Sequence, residues 1–387
     1  MSPESGIGAA VEMTKALIAF DTTSRGSNLA LIDFAQALIE KAGGRCRRSY
    51  DATGAKANLF ATFGPDGDGG IVLSGHTDVV PVDGQDWATD PFDAVVKDGK
   101  LFGRGACDMK GFLAVALSLL PDIARAKLKR PLHLALSYDE EVGCVGVTGL
   151  LEDLKAQNIR PALAIIGEPT LMRIVGAHKG GAKLVTRCCG KEGHSSAPDK
   201  GANAVMMAGE FMALLESVQN ELRSDTDARF DPPFSTVQAT VVHGGTAVNI
   251  LAKNAEVTWE YRFLPDRDAG QIVERVKTRT DAEVLPKYRK RAAEAAFDTE
   301  LHAHYPGLVM DEDSPAIALA RELTGANQVE AVAYGTEAGH FQSYGIPAVI
   351  CGPGSIEQAH RPDEFVALSE LDACEAFLRK VIGKTCD

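Results

Sequence analysis

The stretch "GIVLSGHTDVVP", residues 70–81, runs through Ile71, Val72 and Leu73 and turns polar at His76 and Asp78. A short apolar run without alternation reads as a strand covered on both faces, the kind found inside a parallel sheet. Residues 131–140, "PLHLALSYDE", 161–170, "PALAIIGEPT", and 346–355, "IPAVICGPGS", have the same texture. Around them, "GAAVEMTKALIAF" (8–20), "LALIDFAQALIEKAGG" (29–44), "GFLAVALSLLPDI" (111–123), "SPAIALARELTG" (314–325) and "LSELDACEAFLRKVIG" (368–383) space their apolar residues at helical intervals. Strands alternating with helices predict an α/β fold: a mixed, mainly parallel sheet covered by helices.

From about residue 180 the texture changes. "AKLVTRCCGKEGHSSAPDKGANAV" (182–205) reads as a strand, a Gly/Ser/Pro loop and the start of a long helix ending near Arg223. "FSTVQATVVHGG" (234–245) and "NAEVTWEYRFLP" (254–265) alternate with period two, as in a half-solvated antiparallel sheet. The simplest organisation inserts a smaller α+β domain, residues 180–305, into a larger one built from residues 1–179 and 306–387. A chain of 387 residues exceeds what one hydrophobic core usually supports, which agrees.

Composition narrows the function classes. With 45% hydrophobic and 24% charged residues the chain is ordinarily globular, and its formal charge of −13 disfavours nucleic acid and anionic lipid as partners. The densest basic run, "KYRKR" at 287–291, reads as a solvated helix face. No stretch of 18 apolar residues occurs, and the first twenty residues lack a signal-peptide pattern, so the expectation is a cytoplasmic protein without a membrane partner. Eight cysteines without a CxxC pair read as mostly buried thiols.

Polar residues cluster where the buried runs end. His76 stands at a strand terminus, and Asp78, two residues on, is placed to accept the imidazole's other N–H. Asp108 lies in the glycine-rich turn "LFGRGACDMKGF" (101–112), where it is either a helix N-cap or a ligand. Glu168 follows the run at 161–167, His360 sits in the loop "GPGSIEQAHRPDE" (352–364), and Glu140 and Glu141 adjoin one another after the run at 131–137. Side by side, two acids repel unless a cation is near. Adjacent residues point to different sides, so Glu141 can bind metal while Glu140 faces a water as general base. Four carboxylates with two histidines suit zinc, or cobalt, better than calcium.

The motifs "GHTDVVP", "GRGACDMKG", "DEEVG", "GEPT" and "AHRPDE" resemble, in order and spacing, the zinc-dependent amidohydrolase and peptidase family that contains acetylornithine deacetylase, succinyl-diaminopimelate desuccinylase, aminoacylase and glutamate-releasing carboxypeptidases. The resemblance covers essentially the whole chain. It implies two zinc ions per subunit, one held by His76, Asp108 and Glu168 and the other by Asp108, Glu141 and His360. It further implies that Asp108 bridges, that Glu140 is the general base and that Asp78 supports His76. The inserted segment becomes a lid and dimerisation domain, with a homodimer as the expected state.

Within that segment the resemblance assigns His194 to oxyanion stabilisation in the neighbouring subunit's site, Arg262 to the substrate carboxylate and Asn249 to substrate contact. "LIAFDTTSRGSNLALI", "SYDEEVGCVG" and "YGTEAGHFQSYGIPAVICGPGSIEQAHRPDEF" are most similar to the branch that deacetylates acetylornithine. The implied reaction is hydrolysis of N-acetyl-L-ornithine to L-ornithine and acetate in arginine biosynthesis, with Glu337 meeting the side-chain ammonium. Its rivals are another N-acyl amino acid, such as succinyl-diaminopimelate, or a metal-dependent binding protein without turnover. The presence of Glu140 argues against a mere binder, which needs ligands but no base. Cys107, beside Asp108, reads as a small buried thiol rather than a nucleophile. His178 is a hinge or site-adjacent residue.

Overall fold

The computed structural model describes residues 6–387. They form two compact units: one contains the chain up to Ala177 with Leu308–Ala331 and Thr336–Asp387, the other His178–Gly307 with Val332–Gly335.

The larger unit is built on an eight-stranded sheet in the order Arg45–Tyr50, Ala57–Phe63, Leu132–Ser137, Ile71–His76, Leu163–Pro169, Ala348–Gly352, Val175–His178, Glu330–Val332. The four apolar runs singled out in the sequence are its parallel centre: Ile71–His76 pairs in parallel with Leu132–Ser137 and with Leu163–Pro169, which pairs in parallel with Ala348–Gly352. Every residue of these four strands is buried, which is why none of them alternates. Outer strands pair antiparallel, making the sheet mixed.

Helices Ile7–Ile18, Leu29–Lys41, Lys110–Ser118, Val145–Ala156, Pro315–Thr324 and Leu368–Cys386 accompany the sheet. Apolar residues of several of them, among them Leu17, Ile32, Phe112, Ile317 and Phe377, join Leu73, Leu134 and Ile165 of the strands in one core. The helix expected over 111–123 is two: Lys110–Ser118 and Leu120–Arg125, the second carrying Pro121 in its first turn. Proline is tolerated there because its missing N–H would have no intrahelical partner. A three-stranded antiparallel sheet of Val95–Lys97, Lys100–Phe102 and Phe365–Ala367, not legible in the sequence, sets Phe365 opposite Phe102.

Parallel strands send their C-terminal ends to one edge, where ligands of open α/β sheets gather. His76 ends the first of them and Glu168 is the penultimate residue of another. Glu140 and Glu141 follow Ser137, and the loop with His360 follows Gly352.

The smaller unit carries a four-stranded antiparallel sheet, in the order Thr236–Gly244, Asn254–Phe263, Gly180–Cys189, Ala296–Tyr305. Helices Ala204–Leu222 and Gly270–Arg279 contribute Phe211, Leu215, Ile272 and Val276 to a separate core with Leu184, Val257 and Trp259. Asn254–Phe263 alternates in burial as its sequence pattern requires. Thr236–Gly244 does not: after Val237 it is exposed throughout, and it is one of the sheet's two edge strands.

Candidate metal centre

Six of the residues read from the sequence meet at the C-terminal edge of the large sheet. His76 Nε2 lies 3.0 Å from Asp108 Oδ1 and 3.8 Å from Glu168 Oε1. His360 Nε2 lies 3.3 Å from Asp108 Oδ2 and 3.0 Å from Glu141 Oε2. Asp108 therefore offers one oxygen to each of two groups, His76–Asp108–Glu168 and Asp108–Glu141–His360. Donors at about 2.0–2.2 Å from one cation lie within about 4.4 Å of each other, a limit all four separations meet.

Local structure explains the convergence. Gly167 precedes Glu168 where the strand passes over Phe112, and a Cβ there would fall 2.0 Å from the ring. Only glycine lets the helix that follows Asp108 lie this close to the strand that carries Glu168. Asp108 is not an N-cap: helix Lys110–Ser118 begins after Met109 without a side-chain cap, and the Asp108 carboxylate faces the histidines. Glu140 and Glu141 sit on a turn entered through Asp139 with a φ of 55°, whose carboxylate is held by Lys56 Nζ at 2.6 and 2.7 Å.

Asp78 departs from expectation. The imidazole Nδ1 of His76 is 2.9 Å from the Asp78 backbone carbonyl, whereas its carboxylate is 3.6 Å away. That carboxylate instead accepts from Ser24 Oγ at 2.7 Å and from the backbone N–H groups of Glu140 and Glu141 at 3.1 and 3.2 Å. The side chain thus secures the acid pair, and the backbone of the same residue orients the histidine.

The electrostatics call for a cation. Burial, reinforced by the charges of Glu141, Asp108 and Glu337, pushes Glu140 up to about 8. Burial and the Asp108 charge push Glu141 to about 7 and Glu168 well above the carboxylate range. Against burial, hydrogen bonds to His360 and His76 keep Asp108 low. His76 is held well above its ordinary value, again against burial, by Asp108 and Glu168. Hydrogen bonds to Asp108 and Glu141 raise His360 to about 10. This crowding of carboxylates around two imidazoles is a mixed oxygen and nitrogen donor set that fits divalent cations such as zinc. Glu140 belongs to neither ligand group; its Oε1 accepts from Cys144 Sγ at 3.3 Å.

Glu337 lies in the same unit, 1% exposed, with both carboxylate oxygens covered and without a well-formed hydrogen bond. Burial raises it to about 7, partly opposed by the Ser137 hydroxyl and His76. Contact with a substrate ammonium, as expected from the sequence, would require these oxygens to be uncovered. Cys107 is a 1% exposed thiol whose Sγ donates to the Ser355 carbonyl at 3.2 Å, and burial raises it far from thiolate character, which matches the buried-thiol reading.

His194, Asn249 and Arg262 belong to the smaller unit. There the two-residue strand Gly193–His194 pairs with Ile250–Leu251, and Ser195 N–H donates to the Asn249 carbonyl at 3.0 Å. His194 is exposed with Nδ1 2.7 Å from Ser196 Oγ, and Arg262 is half-buried beside Glu260 and Tyr305. His178 is fully buried, its Nδ1 2.8 Å from the Lys179 carbonyl. Sequence reasoning gave no role to Lys56, Asp139, Arg104 or Glu364. "DEEVG" and "AHRPDE" contain or adjoin two of them, but which acid grips backbone and which grips metal is not a property of spacing.

Residues 72–384 match the model of peptidase family M20/M25/M40. Acetylornithine deacetylase of Myxococcus xanthus is 39% identical over 380 residues, 96% of either chain, and that of Pasteurella multocida 35% identical over 384 residues, 97% of this chain and 98% of the other. In fold the chain is similar to a metallo-carboxypeptidase of Sulfolobus solfataricus, with a TM-score of 0.77 and 16% identity over 97% of this chain and 99% of that one. Aminopeptidase PepT of Bacillus cereus gives 0.75 and 20% identity over 99% of both chains. With a family model spanning most of its length and full-length relatives above 30% identity, the chain belongs to peptidase family M20/M25/M40 and is an amide hydrolase similar to acetylornithine deacetylases.

Proposed function

We propose that the protein hydrolyses N-acetyl-L-ornithine to L-ornithine and acetate, a step of arginine biosynthesis, with two zinc ions, replaceable by cobalt. The observation that carries the reading is a pair of ligand groups sharing Asp108, with Glu140 beside them and in neither. Full-length similarity to acetylornithine deacetylases supports the substrate.

His76, Asp108 and Glu168 would hold one cation, and Asp108, Glu141 and His360 the other. When bound, the cations would polarise the acetamide carbonyl, acidify the attacking water and offset the repulsion among the acids. Glu140 takes the proton from that water as it adds to the carbonyl carbon, then delivers it to the departing α-amine. Asp78 and Lys56 hold the turn so that Glu140 stays aimed. His194 would donate to the oxyanion in the neighbouring subunit's site, Arg262 would pair with the α-carboxylate in a forked contact, and Asn249 would contact substrate. Glu337 would meet the side-chain ammonium of the substrate once its oxygens are uncovered.

The protein is further proposed to act as a homodimer joined through the smaller unit. Its exposed edge strand Thr236–Gly244 carries Val241 and Val242, 45% and 50% exposed, a ready template for pairing.

The test is kcat/KM for N-acetyl-L-ornithine with chelator-stripped protein reloaded with zinc or cobalt, against N-succinyl-diaminopimelate and neutral N-acetyl amino acids. A value above roughly 10⁴ M⁻¹s⁻¹, lost on chelation, is expected. Faster turnover of another acylated amine would replace the substrate. Metal uptake without turnover of any would leave a binding protein.

A further inference from the structure

The turn carrying Asp108 and the loop carrying His360 are joined by a buried clasp outside the hydrolytic steps above. At its centre is Glu364, four residues beyond His360 and 1% exposed. One of its oxygens accepts the backbone N–H groups of Cys107 and Asp108 at 2.9 and 3.0 Å. The other accepts Gly105 N–H at 3.1 Å and Arg104 Nη1 at 2.7 Å. The small sheet that sets Phe365 opposite Phe102 brings these segments together, and Gly103 N–H donates to the Glu364 carbonyl at 2.9 Å.

Arg104, also 1% exposed, extends the clasp. Its Nη2 donates to Gln85 Oε1 at 2.6 Å, and Gln85 Nε2 donates to the backbone carbonyl of His360 at 2.9 Å. Trp87 Nε1 donates to the same Oε1 at 3.0 Å. Two donors on that oxygen settle which way the amide is turned, leaving its nitrogen for His360.

His360 needs such a hold. Its φ of 65° is left-handed without being glycine, and its side chain is 53% exposed, so packing alone does little to fix it. His76 and Glu168, by contrast, belong to fully buried strands. The two proposed cation sites thus differ in what holds them. Glu364 grips the backbone of the shared Asp108 directly, whereas Gln85 bonds directly the backbone of His360, which belongs to the second site alone, and touches the Glu364 clasp only through Arg104.

Resting on the two-cation reading above, we infer that Gln85, Arg104 and Glu364 form a positioning unit for the metal centre, in which Gln85 sets the affinity of the Asp108–Glu141–His360 site without affecting the His76–Asp108–Glu168 site. Gln85 is half-buried in a surface loop, so Gln85→Ala leaves both cores untouched. Metal-free wild type and Gln85→Ala are titrated with Co²⁺ and followed by calorimetry and visible absorption. Wild type should bind two equivalents. The variant should keep its first affinity and lose about tenfold or more in the second, the scale on which groups that orient ligands act. An unchanged second affinity, or equal weakening of both, overturns the inference. Uptake of fewer than two equivalents by wild type overturns the two-cation reading itself.

Discussion

Asp78→Asn separates what the carboxylate does from what its position in the sequence implies. In the wild type Oδ1 accepts from Glu140 N–H at 3.1 Å, and Oδ2 accepts from Glu141 N–H at 3.2 Å and from Ser24 Oγ at 2.7 Å. Asparagine keeps the volume but has one acceptor oxygen. Whichever way the amide is turned, its NH₂ faces one of the two backbone N–H groups, which then loses its partner. A hydrogen bond to a charged acceptor contributes about 1.5–3 kcal/mol, so local opening of the turn should become roughly 10- to 100-fold more frequent. The assay is hydrogen exchange on the metal-free protein, read by mass spectrometry on a peptide covering residues 138–144. Glu140 and Glu141 amides should exchange faster by that factor, while amides of strand Ile71–His76 keep their protection. With Glu140 displaced, kcat should fall by about 100-fold. Unchanged exchange at residues 140 and 141 would refute the assignment and return Asp78 to orienting the imidazole.

Three further outcomes can be checked. Gly167→Ala would drive a methyl into the Phe112 ring, 2.0 Å from its Cβ; a loss of about 1–3 kcal/mol in urea unfolding and weakened metal binding through Glu168 are expected, and a neutral effect would show that the helix moves freely. His133, buried under Phe60, is lowered by burial from 6.5 to about 4, so it is neutral in the fold where the unfolded chain takes up a proton. The stability it contributes is whole above pH 6.5 and falls as pH drops toward 4, by about 3 kcal/mol in all; urea unfolding of wild type and His133→Asn across that range should converge accordingly, and parallel curves would contradict it. Glu337→Gln should lower the preference for N-acetyl-L-ornithine over neutral N-acetyl amino acids, measured as a ratio of kcat/KM values, with metal stoichiometry unchanged; a constant ratio would remove Glu337 from specificity.

How much the sequence disclosed follows from the range of each interaction. The four buried strands were legible because burial on both faces demands an unbroken apolar run, visible in one dimension. That their polar termini gather at one edge follows from parallel topology, so His76, Glu141, Glu168 and His360 could be named with Asp108 before any coordinates. Glu364 was in plain view within "AHRPDE" and remained without a role. Its partners are backbone N–H groups more than 250 residues earlier, and a backbone group leaves no mark on residue identity. The small sheet that brings them together is three residues per strand, too short for a period to show.

Asp78 marks the same boundary more finely. Spacing put an acid two residues from a histidine, which in extended chain is enough to suggest that the two side chains meet. The chain turns after His76, so the backbone carbonyl of Asp78 reaches the imidazole first and the carboxylate swings to the acid pair. Composition, periodicity and motif order therefore determined the fold class, the family and with it amide hydrolysis, all of which depend on which residues are present and in what order they stand. Tertiary structure alone decided which oxygen faces which nitrogen, because hydrogen bonds are directional over about 3 Å and that geometry exists only once distant segments have packed.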